Sequence, residues 1–99
     1  MGNASYMLAG VADSAAFHSA CHGAGRVLSR HAALRRITIG ALRRELATAG
    51  GSCVERPPRS LVEEAPESYK DVEEVVRACE RAGLARPVTR LVPLGVIKG

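Results

Sequence analysis

Aromatic side chains are nearly missing from this sequence: Tyr6, Phe17 and Tyr69 are its rings, and there is no Trp. That scarcity excludes a core organised around large rings. Ala, Val and Leu must fill the interior instead, and each buries little area. Lysine is equally sparse, at Lys70 and Lys98, so the 14 basic residues are almost all arginine. The planar arginine fork suits phosphate oxygens, although a GC-rich coding sequence produces the same bias. The three cysteines, Cys21, Cys53 and Cys79, include no Cys-x-x-Cys pair. This argues against a disulfide framework and for a reducing compartment. No basic segment followed by an apolar run opens the chain, and no apolar stretch approaches the ~20 residues that span a bilayer. The expectation is a cytoplasmic chain that does not enter a membrane.

What remains is a 99-residue chain, 46% apolar, with a net charge of +4. That size suits one small domain or a piece of a larger one. Ser5 to Ala9 reads as a short strand, Gly10 to Ser14 as a turn, and Ala15 to Cys21 as a mildly helical stretch. A helix is expected over Val27–Arg36, and a second over Ile39–Ala49, capped by Thr38 and closed by Gly50-Gly51. Ser52 to Arg56 reads as a strand ended by Pro57-Pro58. Ser60 with Glu63 has capping-box spacing for a helix over Leu61–Ala65, and Asp71 with Glu74 repeats it for Val72–Ala82. Val72, Val75, Val76 and Cys79 make that helix's apolar stripe, and Gly83 follows its end. Val88 to Ile97 reads as a terminal strand interrupted by Pro93 and Gly95. The pattern is mixed α/β, with helices between short strands at both ends. Too few strands are present to build a sheet alone.

Chemistry concentrates in Cys21-His22-Gly23-Ala24-Gly25-Arg26. Glycines flanking a small residue let backbone N–H groups turn toward an anion, and a helix directly after the loop adds its positive end. Arg26 offers a bidentate contact to phosphate. His22 stands at the lip, and an imidazole is a competent nucleophile toward phosphorus near neutral pH. A glycine-rich turn with a surface histidine is the plain alternative.

Four blocks in order resemble the RtcB ligase family. They are Met1-Gly2-Asn3-Ala4-Ser5-Tyr6, Cys21-His22-Gly23-Ala24-Gly25-Arg26-Val27-Leu28-Ser29-Arg30, Glu64-Ala65-Pro66-Glu67-Ser68-Tyr69-Lys70-Asp71-Val72 and Pro93-Leu94-Gly95-Val96-Ile97-Lys98-Gly99. The resemblance implies that residues 1–99 are the C-terminal portion of a single RtcB-like catalytic domain. It implies a GTP- and Mn²⁺-dependent RNA ligase in which His22 takes up guanylate as a covalent GMP adduct. GMP then passes to an RNA 3′-phosphate, a 5′-hydroxyl attacks, and GMP leaves. Ends with a 2′,3′-cyclic phosphate are opened first. The implied roles are tRNA splicing and RNA repair. Ser5, Gly23, Ala24, Gly25, Tyr69 and Lys98 match the family's nucleotide contacts. A lysine donor suits guanine O6 and N7, and an aromatic face stacks on a purine.

Departures accompany the match. The family's metal ligands, an Asp-x-x-Cys block and three histidines, have no counterpart here, so no manganese ligand is expected on this chain. They belong to an N-terminal portion that would be a partner of it. Asn3 stands where Thr or Ala is usual, His31 where Thr or Lys is, and the segment from Ser5 to His22 is slightly short. The alternative expectation is an inactive fragment that binds only guanine nucleotide or RNA. His18, Cys21, His22, His31, Cys53 and Cys79 fit no standard zinc spacing. Arg35 and Arg36 lean toward an RNA track, Arg43 and Arg44 lean toward solvated helix faces, and Arg56 and Arg59 fit either. Glu63, Glu64 and Glu67 could form an acid–base pair, but helix capping and dipole complementarity explain them more cheaply.

Overall fold

Half-buried Tyr6 and Leu8 alternate with exposed Ser5 and Met7, the period of a strand with one covered face, and Ser5–Gly10 forms β1. The computed structural model of the chain describes residues 2–48, 52–54 and 58–97. In chain order β1 is followed by α1 (Arg30–Arg36), α2 (Ile39–Thr48), β2 (Ser52–Val54), α3 (Pro58–Glu63), a 3-10 turn at Pro66–Ser68, α4 (Val72–Arg81), β3 (Ala85–Leu91) and β4 (Gly95–Ile97).

Among the described residues the strands form two separate two-stranded sheets. β1 pairs antiparallel with β3, with Met7 opposite Thr89 but Leu8 opposite Pro87, so Val88 is the extra residue of a bulge. The expected terminal strand over Val88–Ile97 is therefore two strands in two sheets. It begins earlier because the bulge and an open strand edge tolerate Pro87. It breaks after Leu91, ahead of Pro93, and its continuation β4 runs parallel to β2, with Ser52 opposite Gly95 and Val54 opposite Ile97. Of the strand expected over Ser52–Arg56, Glu55 and Arg56 lie outside the described residues.

Caps set the helix ends. Ser29 Oγ accepts from Ala32 N at 3.1 Å, so α1 starts at Arg30 and not at Val27. Val27 and Leu28 instead donate their N–H groups to the Ser68 carbonyl, at 2.9 and 3.3 Å. Thr38 Oγ1 caps α2 through Ala41 N at 3.3 Å. α3 starts at Pro58 instead of Leu61, using a proline where its missing N–H is harmless, and it stops before Pro66. Asp71 Oδ1 accepts from Glu73 N at 2.8 Å to open α4. Left-handed Gly83 closes α4, with Gly83 N bonding Glu80 O and Leu84 N bonding Cys79 O.

The helical reading of Ala15–Cys21 is overturned. Phe17 and His18 take positive φ of 54° and 57°, which ends any right-handed helix there, and Phe17 is 95% exposed. The segment has no apolar stripe to bury, so nothing offsets the cost of ordering a helix.

Leu42 and Leu46, one turn apart on α2, pack with Leu61, Val62 and Ala65 around α3, and Leu34, Ile37 and Ile39 close the edge. α4 lies against β3, with Cys79 and Ala85 buried. Met7, Val88, Leu91, Val92 and Leu94, by contrast, remain 50–91% exposed around the β1–β3 ribbon. The result is a small mixed helix–strand unit with a ring-free core. No helix among the described residues is long and apolar enough to cross a membrane.

Candidate active site

The loop after Cys21 is fastened to a segment more than forty residues downstream (26 to 69). Lys70 N donates to the Gly25 carbonyl at 3.0 Å, Val27 N donates to the Ser68 carbonyl, and Arg26 bridges Tyr69 in antiparallel fashion. Gly25 makes the turn possible with φ +77°, a conformation that costs an L side chain about 1–2 kcal/mol. Gly23 has an ordinary φ, and a Cβ there would meet no atom within 4 Å. Its bareness leaves room beside the backbone.

A cleft of roughly 310 Å³ opens where these pieces meet. β1 and its approach supply Ser5 and Tyr6, and the loop supplies Cys21, His22, Gly23 and Ala24. Tyr69 forms another wall, and Val72, Val75 and Val76 of α4 add apolar lining. His22 and Gly23 are exposed, so the imidazole is accessible from solvent. The volume lies at the small end of ligand sites, with the usual apolar lining and a few polar groups.

Of the residues singled out in the sequence, Ser5, His22, Gly23, Ala24 and Tyr69 share this cleft. Gly25 shapes the loop from just outside it, and Lys98 lies outside the described residues. Arg26 sits behind Tyr69. Its Nε donates to Leu28 O at 2.9 Å, Nη1 to Tyr69 Oη at 3.1 Å, and Nη2 to Glu63 O at 2.6 Å. Nη1 is also 3.7 Å from Glu64 Oε1, and the guanidinium carbon stands 4.9 Å from the Tyr69 ring centroid. The fork offered above to phosphate is thus turned toward protein acceptors. The helix that was to follow the loop directly begins four residues beyond Arg26, so its end does not cap the glycines.

Tyr69 Oη donates to Glu64 Oε2, and this bond, with burial and the Glu64 charge, holds the phenol above the ordinary tyrosine range against the opposing pull of Arg26. Cys21 is likewise held above the usual thiol range, chiefly by the Cys79 thiol, with burial adding to the effect and Lys70 opposing it. Among the described residues no three His, Cys, Asp or Glu gather as metal ligands. Glu63 pairs with Arg59 at 3.3 Å, Glu64 is bound to Tyr69, and Glu67 is exposed, so the carboxylates make no acid–base pair. Arg35, Arg36, Arg43 and Arg44 are exposed on α1 and α2. Sequence reasoning missed Glu64 as the partner of Tyr69. It also read Val72, Val75 and Val76 as core, because a stripe at helical spacing does not reveal which part of it lines a cleft.

Fold and cleft together define a segment of mixed helices and strands that holds an accessible histidine above a glycine loop. Sequence comparison makes the relationship specific. The family model described as tRNA-splicing ligase RtcB matches residues 1–99, and the chain belongs to that family. The RNA-splicing ligase RtcB of Mycobacterium tuberculosis is 54% identical over 99 residues, covering 100% of this chain and 23% of the relative. The tRNA-splicing ligase RtcB of Pyrococcus horikoshii is 48% identical over 101 residues, again covering the whole chain but 12% of the relative. RNA-splicing ligase RtcB homolog 1 of Entamoeba histolytica is 43% identical over 101 residues, 19% of its length. The chain therefore spans less than a quarter of the curated relatives it matches.

Proposed function

We propose that this chain supplies the guanylate-accepting part of an RNA ligase site, with His22 as the nucleophile. The imidazole forms a P–N bond to the α-phosphorus of GTP and pyrophosphate leaves. The guanylate is then passed to an RNA 3′-phosphate. A 5′-hydroxyl attacks that activated end, GMP departs, and a phosphodiester remains. Ends with a 2′,3′-cyclic phosphate are opened to the 3′-phosphate first, and tRNA halves are the substrate that the relatives' names suggest. The observation that carries this reading is the convergence of Ser5, His22, Gly23, Ala24 and Tyr69, from separate parts of the chain, on one cleft. Ser5 and the Gly23–Ala24 backbone offer polar contacts to guanylate, Tyr69 offers a ring to the base, and Lys98 offers a further donor.

The described residues do not fit a manganese site, since no three candidate ligands gather. Manganese is assigned to the N-terminal portion of an RtcB-type polypeptide, which is proposed as the partner of this chain. The exposed Met7, Leu91, Val92 and Leu94, and sheets of only two strands, are what such a partner would cover. The same lack of ligands favours a second reading, in which the chain alone holds guanine nucleotide without reacting.

The test is incubation with labelled GTP and Mn²⁺, alone and with the N-terminal portion of a relative. Acid-labile label on this chain in the mixture, absent in His22→Ala, is the expected result. Saturable GMP binding with no label in either arm would establish the second reading instead.

A further inference from the structure

The side chain of Arg26 is spent in a way that the guanylate reading does not require. Its guanidinium has five N–H donors. Those used reach the Leu28 carbonyl, Tyr69 Oη and the Glu63 carbonyl, and Nη1 also faces Glu64 Oε1 at 3.7 Å. A phosphate taken by this fork would compete with these protein acceptors. The guanidinium carbon also lies over the Tyr69 ring, 4.9 Å from its centroid and in cation–π range, and the ring lines the His22 cleft.

From this geometry we infer that Arg26 and Glu64 are positioning residues, which clamp Tyr69 at its face and its hydroxyl so that the ring stands as a fixed wall of the His22 cleft. Two independent holds act on one side chain. The guanidinium fixes the plane of the ring, and the Glu64 carboxylate fixes the direction of its hydroxyl. The same arginine ties down the chain just beyond it through Leu28 and the end of α3 through Glu63. Backbone bonds from Lys70 to Gly25 and from Val27 to Ser68 fasten the glycine loop to the segment carrying Tyr69. Loop and ring therefore move as one body. A base stacked on Tyr69 is held in register with the backbone at Gly23 and with the imidazole of His22. Without the clamp the ring gains rotamer freedom, and a stacked ligand must immobilise it on binding.

The inference rests on the reading of the cleft as a guanine nucleotide site, and two measurements separate its fate from that reading. The first uses no ligand. With no Trp and two tyrosines in the chain, near-ultraviolet absorbance follows tyrosine ionisation directly, and Tyr69→Phe identifies the Tyr69 component. Glu64→Gln should move that component down toward the ordinary tyrosine range. The second compares guanosine with GMP, which share the base and differ in the phosphate. Arg26→Lys, which keeps the charge and loses the fork, should weaken both by the same factor, about three- to thirtyfold. Loss of GMP affinity alone would make Arg26 a phosphate ligand and overturn the inference, as would unchanged affinity for both. An unmoved Tyr69 titration in Glu64→Gln overturns it too. If the unaltered chain binds neither guanosine nor GMP, the nucleotide reading falls, and the titration alone decides whether the clamp exists. Arg26→Ala extends the series where it folds.

Discussion

Replacing Gly23 and Gly25 by alanine, one at a time, should give opposite outcomes although the two glycines lie two residues apart. At Gly25 a Cβ meets nothing within 4 Å, so the whole cost is backbone conformation at φ +77°. That cost is about 1–2 kcal/mol for an L residue in the left-handed region. For a domain of this size it corresponds to a fall in Tm of about 4–8 °C per kcal/mol. At Gly23 neither strain nor contact arises, and alanine reduces the freedom of the unfolded chain, so stability should hold or rise by up to ~1 kcal/mol. Thermal unfolding followed by far-ultraviolet circular dichroism measures both. The order reverses for ligand. A methyl group at position 23 stands on the cleft wall where guanylate must approach, so Gly23→Ala should weaken GMP about tenfold or more, a loss of ~1.4 kcal/mol. A Gly23→Ala protein as unstable as Gly25→Ala would refute the backbone assignment of the loop. A stable Gly23→Ala protein that binds GMP as well as the parent would refute close approach of ligand to that backbone.

Further outcomes follow from single groups. Ser68 is fully buried and its Oγ has no hydrogen-bond partner among the described residues, so Ser68→Ala should be neutral or stabilising by ~1 kcal/mol in denaturant titration. The Tyr69 phenol is raised in the fold, so its contribution to stability is complete below the ordinary tyrosine range and is lost as pH climbs through the raised value. Tyr69→Phe should flatten that alkaline loss in unfolding scans across pH. The Cys21 thiol is raised mainly by Cys79, so Cys79→Ala should increase the thiolate fraction at Cys21 and speed its alkylation at mildly alkaline pH, read by peptide mass spectrometry. Phe17, exposed and left-handed, should accept asparagine with a gain of up to ~1 kcal/mol, since asparagine tolerates that conformation better.

The elements that local chemistry determines are legible in the sequence. Asp71 before α4, Gly83 after it and Thr38 before α2 all act within a few residues of themselves, and each is found in its expected role. What local chemistry does not determine was misread. Val27 and Leu28 have helical apolar spacing, yet their N–H groups go to Ser68, an acceptor forty residues away along the chain (28 to 68), and α1 starts later as a result. The terminal strand was read as one because Pro93 and Gly95 interrupt a β-rich run without announcing that the two halves join different partners. A bulge that accommodates Pro87 leaves no mark in the residues around it.

The cleft divides in the same way. His22 and its glycines were visible because their chemistry is contiguous, and Ser5 and Tyr69 because a family pattern carried them. Arg26 was assigned to phosphate from its residue type and its place beside the loop, and both remain true of it. Its direction follows from something no short window contains, the crossing of the loop by the segment from Glu63 to Tyr69. At that crossing two backbone carbonyls, a phenol and a carboxylate surround the guanidinium. An arginine gains more from several fixed acceptors in a half-buried place than from an open loop facing water. The fork that looked like the ligand's first contact is therefore better placed to act one step behind it, through the ring that the ligand would touch.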